Sequence, residues 1–265
     1  MTSTNSAAGT RHLYATQRQD RIVVTARTEG RVDVTGLAEQ LGVTPETIRR
    51  DLTVLERRGL VRRVHGGALP VAQTEHEPTL PERLGRSVQE KRRIATEALH
   101  RVPEEGSILL DAGTTTLALA SALPDRPGLS VVTNSVSIAA VLAEREHLTL
   151  HLLGGRVRGE TGAAVGSWAM KSLADLAIDV VFLGANGFTL ERGFTTPDEV
   201  EADVKRAMVA AARRSIILAD SSKAGQVHFQ RFAVPGEVDL LVTDDGLDDE
   251  TADAFEDAGT EVVRA

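Results

Sequence analysis

The sequence predicts an α/β protein in two parts: an N-terminal winged helix-turn-helix, then a larger, mostly parallel α/β domain. Three observations lead there. Residues 17–69 hold short capped helices, a tight glycine turn and a hairpin pattern. From Ser107 onward, short apolar strands alternate with helices. Charge is also divided unequally between the two parts.

Residues 1–70 carry eleven arginines against seven acids, a balance of +4. Residues 71–265 carry 19 bases against 31 acids, a balance of −12. A basic head on an acidic body is expected where only one domain meets phosphates. All four lysines, Lys91, Lys171, Lys205 and Lys223, lie in the body. Hydrophobic residues make up 42% of the 265 and charged ones 26%, the balance of a globular chain. There are no cysteines, which excludes disulfides and cysteine-ligated metal. No apolar run approaches the roughly 20 residues of a membrane-spanning helix. Met1–Thr10 has no apolar core of a signal peptide, so the expected location is the cytoplasm, with no membrane partner.

In the head, Ile22, Val23 and Ala26 give the first helix its apolar spacing, and Glu29-Gly30-Arg31 ends it. Asp33 or Thr35 caps a second helix holding Leu37, Ala38 and Leu41, which Gly42 terminates. Thr44 caps a third, with Pro45 at its first position, where no N–H is needed. Ile48, Leu52 and Leu55 face inward from this helix. Thr47, Arg49, Arg50 and Thr53 therefore face away from the core. In a helix-turn-helix this is the helix that enters the major groove. Gly59 ends it, and Leu60–Val64, His65-Gly66-Gly67 and Ala68-Leu69 read as a β-hairpin wing. The DNA-contact candidates are Thr44, Thr47, Arg49, Arg50, Thr53, Arg62, Arg63 and His65. Arginine suits both tasks, since its fork pairs with guanine edges and with phosphate.

Residues 70–86, with Pro70, Pro78 and Pro81, read as a linker. A helix follows at Ser87–Arg101. Strands are expected at Ser107–Leu110, Ser130–Thr133, Thr149–Leu153, Val180–Leu183, Ser215–Ala219, Leu240–Thr243 and Glu261–Val263. Helices are expected near Thr115–Leu123, Ser135–Ala143, Gly166–Leu176, Pro197–Arg213 and Asp248–Ala258. Such alternation implies helices on both faces of a parallel sheet, whose carboxyl edge is where ligands bind. The strands run into Asp111, Gly113, Thr114, Thr115 and Thr116; Asn134 and Ser135; Gly155; Gly184; and Lys223. Gly113 and the three threonines open a helix, so backbone N–H groups and hydroxyls converge where a phosphate would sit. Lys223 adds a full positive charge from a neighbouring loop.

The run VTPETIRRDLTVLERRGLVRRVHGGA, residues 43–68, resembles the N-terminal domain of the DeoR family of bacterial repressors. LDAGTTT (110–116), VVTNS (131–135), LLGGRVR (152–158), VFLGANGF (181–188), GFTTPD (193–198) and LADSSK (218–223) resemble its effector domain. The resemblance covers the chain from Tyr14 onward. It implies a fold like ribose-5-phosphate isomerase and the CoA transferases and a phosphorylated sugar as inducer; with no G-x-G-x-x-G or Walker A pattern in the sequence, no cofactor is expected. It places Asp111, Gly113, Thr114, Thr115, Asn134, Gly155, Gly184 and Lys223 around that sugar. Within the family the chain looks closest to actinobacterial fructose-operon repressors, which suggests fructose 1-phosphate. Residues 1–13 fall outside the pattern and are expected to be a disordered extension, with translation starting near Leu13. Residues 14–69 are then the DNA-binding domain and 87–265 the effector and oligomerisation domain.

Two rival readings are weaker. A sugar-phosphate isomerase bearing a DNA-binding appendage needs a general base beside the reacting carbon. In the isomerases that the resemblance points to, a loop corresponding to Gly184–Gly187 carries paired aspartates; here Asn186 cannot act as a base. A metal site at His147 and His151 lacks the Glu of H-E-x-x-H and sits on a strand pattern. The expected mechanism is a regulator that binds operator DNA as a dimer or tetramer, since one winged helix buries little surface.

Overall fold

A computed structural model of the chain describes residues 15–57, 60–64, 66–70 and 77–265. The expected extension at 1–13 and the wing residue His65 lie outside them. The chain divides into two compact units, 1–76 and 77–265.

The first unit is built of α1 (Ala15–Glu29), β1 (Val32–Asp33), α2 (Val34–Leu41), α3 (Pro45–Arg57), β2 (Val61–Val64) and β3 (Gly67–Pro70). Asp33, not Thr35, caps α2, accepting from the Gly36 N–H at 2.7 Å. Gly42 closes α2 at φ 64°, a left-handed conformation that a residue with a Cβ adopts at a cost. Thr44 accepts from the Thr47 N–H at 3.2 Å and so caps α3. The core unites Ile22 and Ala26 of α1, Leu37 and Leu41 of α2, and Ile48, Leu52 and Leu55 of α3 with Val61 and Ala68 of the hairpin. The wing is a three-stranded antiparallel sheet, ordered β1-β3-β2. Its β1 strand was not anticipated, because two residues carry no periodicity.

The second unit begins earlier than expected, which shortens the linker read at 70–86. Thr79 and Glu82 form a capping box on α4 (Leu80–Leu84), and the Leu80 N–H donates to the Glu160 carbonyl at 2.8 Å. Pro81 marks a helix start rather than an open connection.

The elements that follow are α5 (Val88–Leu99), β4 (Gly106–Leu110), α6 (Thr114–Ala122), β5 (Leu129–Thr133), α7 (Val136–Leu142) and β6 (Thr149–Leu152). Next come β7 (Arg156–Val157), β8 (Ala164–Val165), α8 (Ser167–Ala174), β9 (Ile178–Gly184), β10 (Gly187–Thr189), β11 (Gly193–Thr196) and α9 (Glu199–Ala211). The chain closes with β12 (Ala212–Leu218), β13 (Gln230–Ala233), β14 (Leu240–Thr243), α10 (Asp249–Asp257) and β15 (Glu261–Arg264).

Seven strands form one sheet in the order β15-β14-β12-β9-β4-β5-β6, all parallel. Side chains alternate between its faces, as the period of a strand requires. Ile216 and Leu218 join Ile94, Leu119 and Ile138 of α5–α7, whereas Ile217 joins Leu173, Met208 and Phe255 of α8–α10. Helices thus cover both faces, as the alternating pattern predicts. The short antiparallel sheet β10-β11-β13 was not foreseen. Its inward aromatics, Phe188, Phe194 and Phe232, pack with Phe255 under the α9 face. Strands of three or four residues rich in glycine and threonine give too short a signal to read.

No helix among the described residues is long and apolar enough to cross a membrane.

Candidate functional site

The head presents a basic face. Arg49 and Arg50 on α3, and Arg62 and Arg63 on β2, are all exposed, while Ile48, Leu52 and Leu55 are buried behind them. Arg50 and Arg62 have no hydrogen-bond or ion-pair partner among the described residues. Arg49 meets Glu46 at 3.3 Å, an exposed pair of little energetic weight that phosphate can replace. Two candidates are already engaged. Thr53 donates to the Arg49 carbonyl at 2.9 Å and accepts from Arg63 at 3.1 Å. The Arg63 N–H also donates to Glu56 at 3.0 Å, so the wing is pinned to α3. Thr44 and Thr47 lie 2.9 Å apart through their hydroxyls at the start of α3.

Sequence reasoning missed what orients α3 from below. Asp51, nearly fully buried, accepts from Arg18 at 2.6 Å and from Gln19 at 2.9 Å, both on α1. Removing one partner of such a buried pair leaves an uncompensated charge.

In the body, the strand order reverses between β4 and β9. From β4 the chain runs one way to β5 and β6, and from β9 the other way to β12, β14 and β15. This is a topological switch point, where the carboxyl ends of two strands part and open a crevice. Asp111 follows β4 and Gly184 ends β9. The Gly184 N–H donates to Asp111 Oδ2 at 3.1 Å across that point.

Neighbouring loops are tied to the same spot. Asn134 accepts from the Ala112 N–H at 3.0 Å and donates to the Ala164 carbonyl at 3.3 Å, so its amide ties the loop after β4 to the start of β8. Thr133 donates to the Leu110 carbonyl at 2.7 Å, and Ser135 caps α7. Gly155 has φ 153°, and a Cβ there would stand 2.6 Å from the Val165 carbonyl oxygen. Gly155 thus permits this close backbone approach. Gly113 caps α6 without a side-chain bond, while Thr116 donates back to the Gly113 carbonyl at 3.0 Å. Thr114, Thr115 and Thr116 are all buried.

The structure therefore joins Asp111 and Gly184 directly and ties Asn134 to the neighbouring residue Ala112, with Gly113–Thr116, Ser135 and Gly155 on the adjoining loops. Lys223 stands after β12, the strand beside β9. Its loop is held by Asp244, which accepts from Ser221 N–H at 2.7 Å and from Ser221 Oγ at 2.8 Å.

Charged residues beneath this edge went unread in the sequence. Lys205 of α9 is 2% exposed; it donates to Asp111 Oδ2 and, at 3.0 Å, to the Gly184 carbonyl. Glu201 lies one turn earlier, 3.9 Å from Lys205, and accepts from Arg158 and, at 3.2 Å, from Thr161. Arg158 also reaches Glu77 at 2.6 Å and Asp198 at 3.4 Å. Asp198 caps α9, while Glu201, in its first turn, is buried and ion-paired.

Burial pushes the Asp111 carboxyl up from its ordinary value, against the pull of Lys205. Its second oxygen, Oδ1, is buried without a hydrogen-bond partner among the described residues. Burial also lowers the Lys91 ammonium to about 8, opposed by Asp220 and assisted by Lys223, Arg83 and Arg86. Lys91 donates to the Arg83 and Arg86 carbonyls at 2.7 and 2.5 Å.

Asn186 is committed to structure, accepting from Thr196 at 3.2 Å. His147, ahead of β6, meets Asp125 at 3.3 Å.

A winged helix-turn-helix with unpartnered arginines, joined to a parallel domain with polar groups gathered at its switch point, defines a DNA-binding regulator with a ligand-sensing body. Residues 18–74 match the DeoR-like helix-turn-helix domain, and residues 86–245 match the DeoR C terminal sensor domain. The chain is 39% identical over 252 residues to the HTH-type transcriptional regulator GlpR of Haloferax volcanii, covering 95% of this chain and 98% of that one. It is 38% identical over 215 residues to the uncharacterized regulator FruR of Bacillus subtilis, covering 80% and 85%. It is 31% identical over 232 residues to the glycerol-3-phosphate regulon repressor of Escherichia coli, covering 88% and 92%. The chain belongs to the DeoR family of transcriptional regulators, and its relatives are named as regulators rather than enzymes.

Among solved structures, a D-ribose-5-phosphate isomerase in complex with phospho-erythronic acid matches at 19% identity and a TM-score of 0.39, covering 52% of this chain and 54% of that one. A probable sor operon regulator from Shigella flexneri matches at 14% and 0.41, covering 64% and 90%.

Proposed function

We propose that this chain represses a carbohydrate operon and leaves its operator when a phosphorylated sugar binds at the β4/β9 switch point. The observation that supports this best is Asp111 Oδ1, buried without a hydrogen-bond partner among the described residues, two positions before the Gly113 cap of α6. A buried acceptor without a donor is costly, and a sugar hydroxyl supplies that donor. The phosphate would meet the N–H groups of Thr114 and Thr115 at the helix start, with Lys223 adding its charge. Lys205 compensates Asp111, so the carboxylate does not repel a dianion approaching the same loops.

One relative is named for a small phosphorylated metabolite, the glycerol-3-phosphate regulon repressor of Escherichia coli, which supports a phosphorylated ligand. Fructose 1-phosphate is the first sugar to test. Arg50 and Arg49 read base edges, Thr44 and Thr47 orient the helix start, and Arg62 and Arg63 clamp phosphates. The operator is bound by a dimer or tetramer reading repeated half-sites. Release by 10- to 100-fold needs about 1.4–2.8 kcal/mol of coupling, modest for a multiply bonded phosphate.

Thermal shift against a panel of hexose, pentose and triose phosphates tests the ligand class. A rise in Tm is expected with at least one sugar phosphate and not with its unphosphorylated parent. Equal shifts with both would remove the phosphate from the proposal.

A further inference from the structure

We propose that the buried ion chain Asp111–Lys205–Glu201–Arg158–Glu77 is the relay by which the ligand edge controls the connection to the DNA-binding head. Its charges alternate along the chain, from the switch point to the first residue of the second unit. All five side chains are at most 8% exposed. All five residues belong to the second unit and none to the DNA-binding head. The relay rests on the ligand reading above for what loads its Asp111 end.

Lys205 sits between two carboxylates. It is hydrogen-bonded to Asp111 and stands 3.9 Å from Glu201. Glu201 in turn divides its oxygens, Oε1 towards Lys205 and Oε2 towards Arg158 and Thr161. Whatever weakens the hold of Asp111 on Lys205, such as a hydroxyl donating to that carboxylate, frees the ammonium to close on Glu201. Arg158 then loses part of its hold on Glu201, and with it the geometry that grips Glu77. Glu77 is where the chain enters the second unit after the segment 71–76. Buried pairs respond this sharply because each charge has few alternatives to its partner. A chain of contacts becomes a pathway only when its two ends are shown to be coupled.

A double-mutant cycle on operator affinity tests that coupling with no ligand present. The full-length wild type, Asp111→Asn, Glu77→Gln and the double variant are titrated onto duplexes selected from random DNA, by fluorescence anisotropy. Each single variant is expected to weaken binding by about three- to tenfold, and the double variant by no more than the weaker single. Effects that multiply in the double variant would overturn the relay, as would full wild-type affinity in both singles. If circular dichroism shows Asp111→Asn unfolded, Glu201→Gln takes its place in the cycle with the same two outcomes. Failure of the ligand reading shows separately, as an absence of sugar-phosphate shifts in the wild type.

Discussion

Arg63 of the wing donates a hydrogen bond to Thr53 of the recognition helix at 3.1 Å, so hairpin and helix are fastened where both face outward. Arg50, three residues before Thr53, has no such tie. The two arginines therefore differ in what their loss removes.

Arg50→Ala is expected to cost about 1–3 kcal/mol of operator binding and to relax preference at one or two base pairs. Arg62→Ala is expected to weaken all sequences alike and to reduce the salt slope by about one. Binding measured at several salt concentrations on the selected site and on its single-base variants separates them. The same uniform loss for both would return Arg50 to the phosphate-contact class.

Lys205→Met strands the Asp111 carboxylate in the core and is expected to cost about 3–5 kcal/mol of stability at pH 7.5. Burial already raises Asp111, and Lys205 opposes that rise. Without the cation, the folded chain holds the Asp111 proton more tightly than the unfolded chain does. Stability attached to a raised carboxyl is complete below its unfolded value of about 4 and is lost as pH climbs through the folded value. The deficit should therefore be smaller at pH 5 than at pH 7.5 in urea titrations. A deficit independent of pH would mean that packing, not charge, is what Lys205 supplies.

Lys91→Met reverses that direction. The folded Lys91 titrates at about 8, below its unfolded value of 10.5. Between these values the unfolded chain binds the extra proton, so wild-type stability rises with pH across that window. Between pH 7.5 and 9.5 the wild type should gain on the variant. Parallel pH profiles would contradict the burial of a charged lysine there.

The parallel sheet was legible because five connecting helices separate apolar runs whose ends carry glycine, asparagine and aspartate. The helix-turn-helix was legible from its caps: Asp33, Gly42 and Thr44 each announce a helix end through local chemistry. The family-like motifs put Asp111, Gly184 and Asn134 at strand ends; the hydrogen bonds from Gly184 to Asp111 and from Ala112 to Asn134 link the loops that carry them. The chain beneath them was not read. Glu201, Lys205 and Met208 lie at i, i+4 and i+7 on α9 and are all buried. Periodicity assigns charged positions to the solvent face, so a buried ion pair on that stripe is mistaken for surface. Arg158 stood within the LLGGRVR motif without a role, because its partners Glu77 and Glu201 lie 81 and 43 residues away in sequence. The linker was overextended for a similar reason. Proline reads as a break, and only tertiary contact to Glu160 shows that Pro81 begins a helix.

If a phosphorylated sugar at the β4/β9 edge releases the operator, Lys223 provides the most direct measurement. Operator release is followed by fluorescence anisotropy while fructose 1-phosphate, or another sugar phosphate that shifts the Tm, is titrated into wild type and Lys223→Ala. The variant is expected to bind operator like the wild type and to need at least tenfold more sugar phosphate for release. Release of both proteins at the same concentration would place the ligand elsewhere.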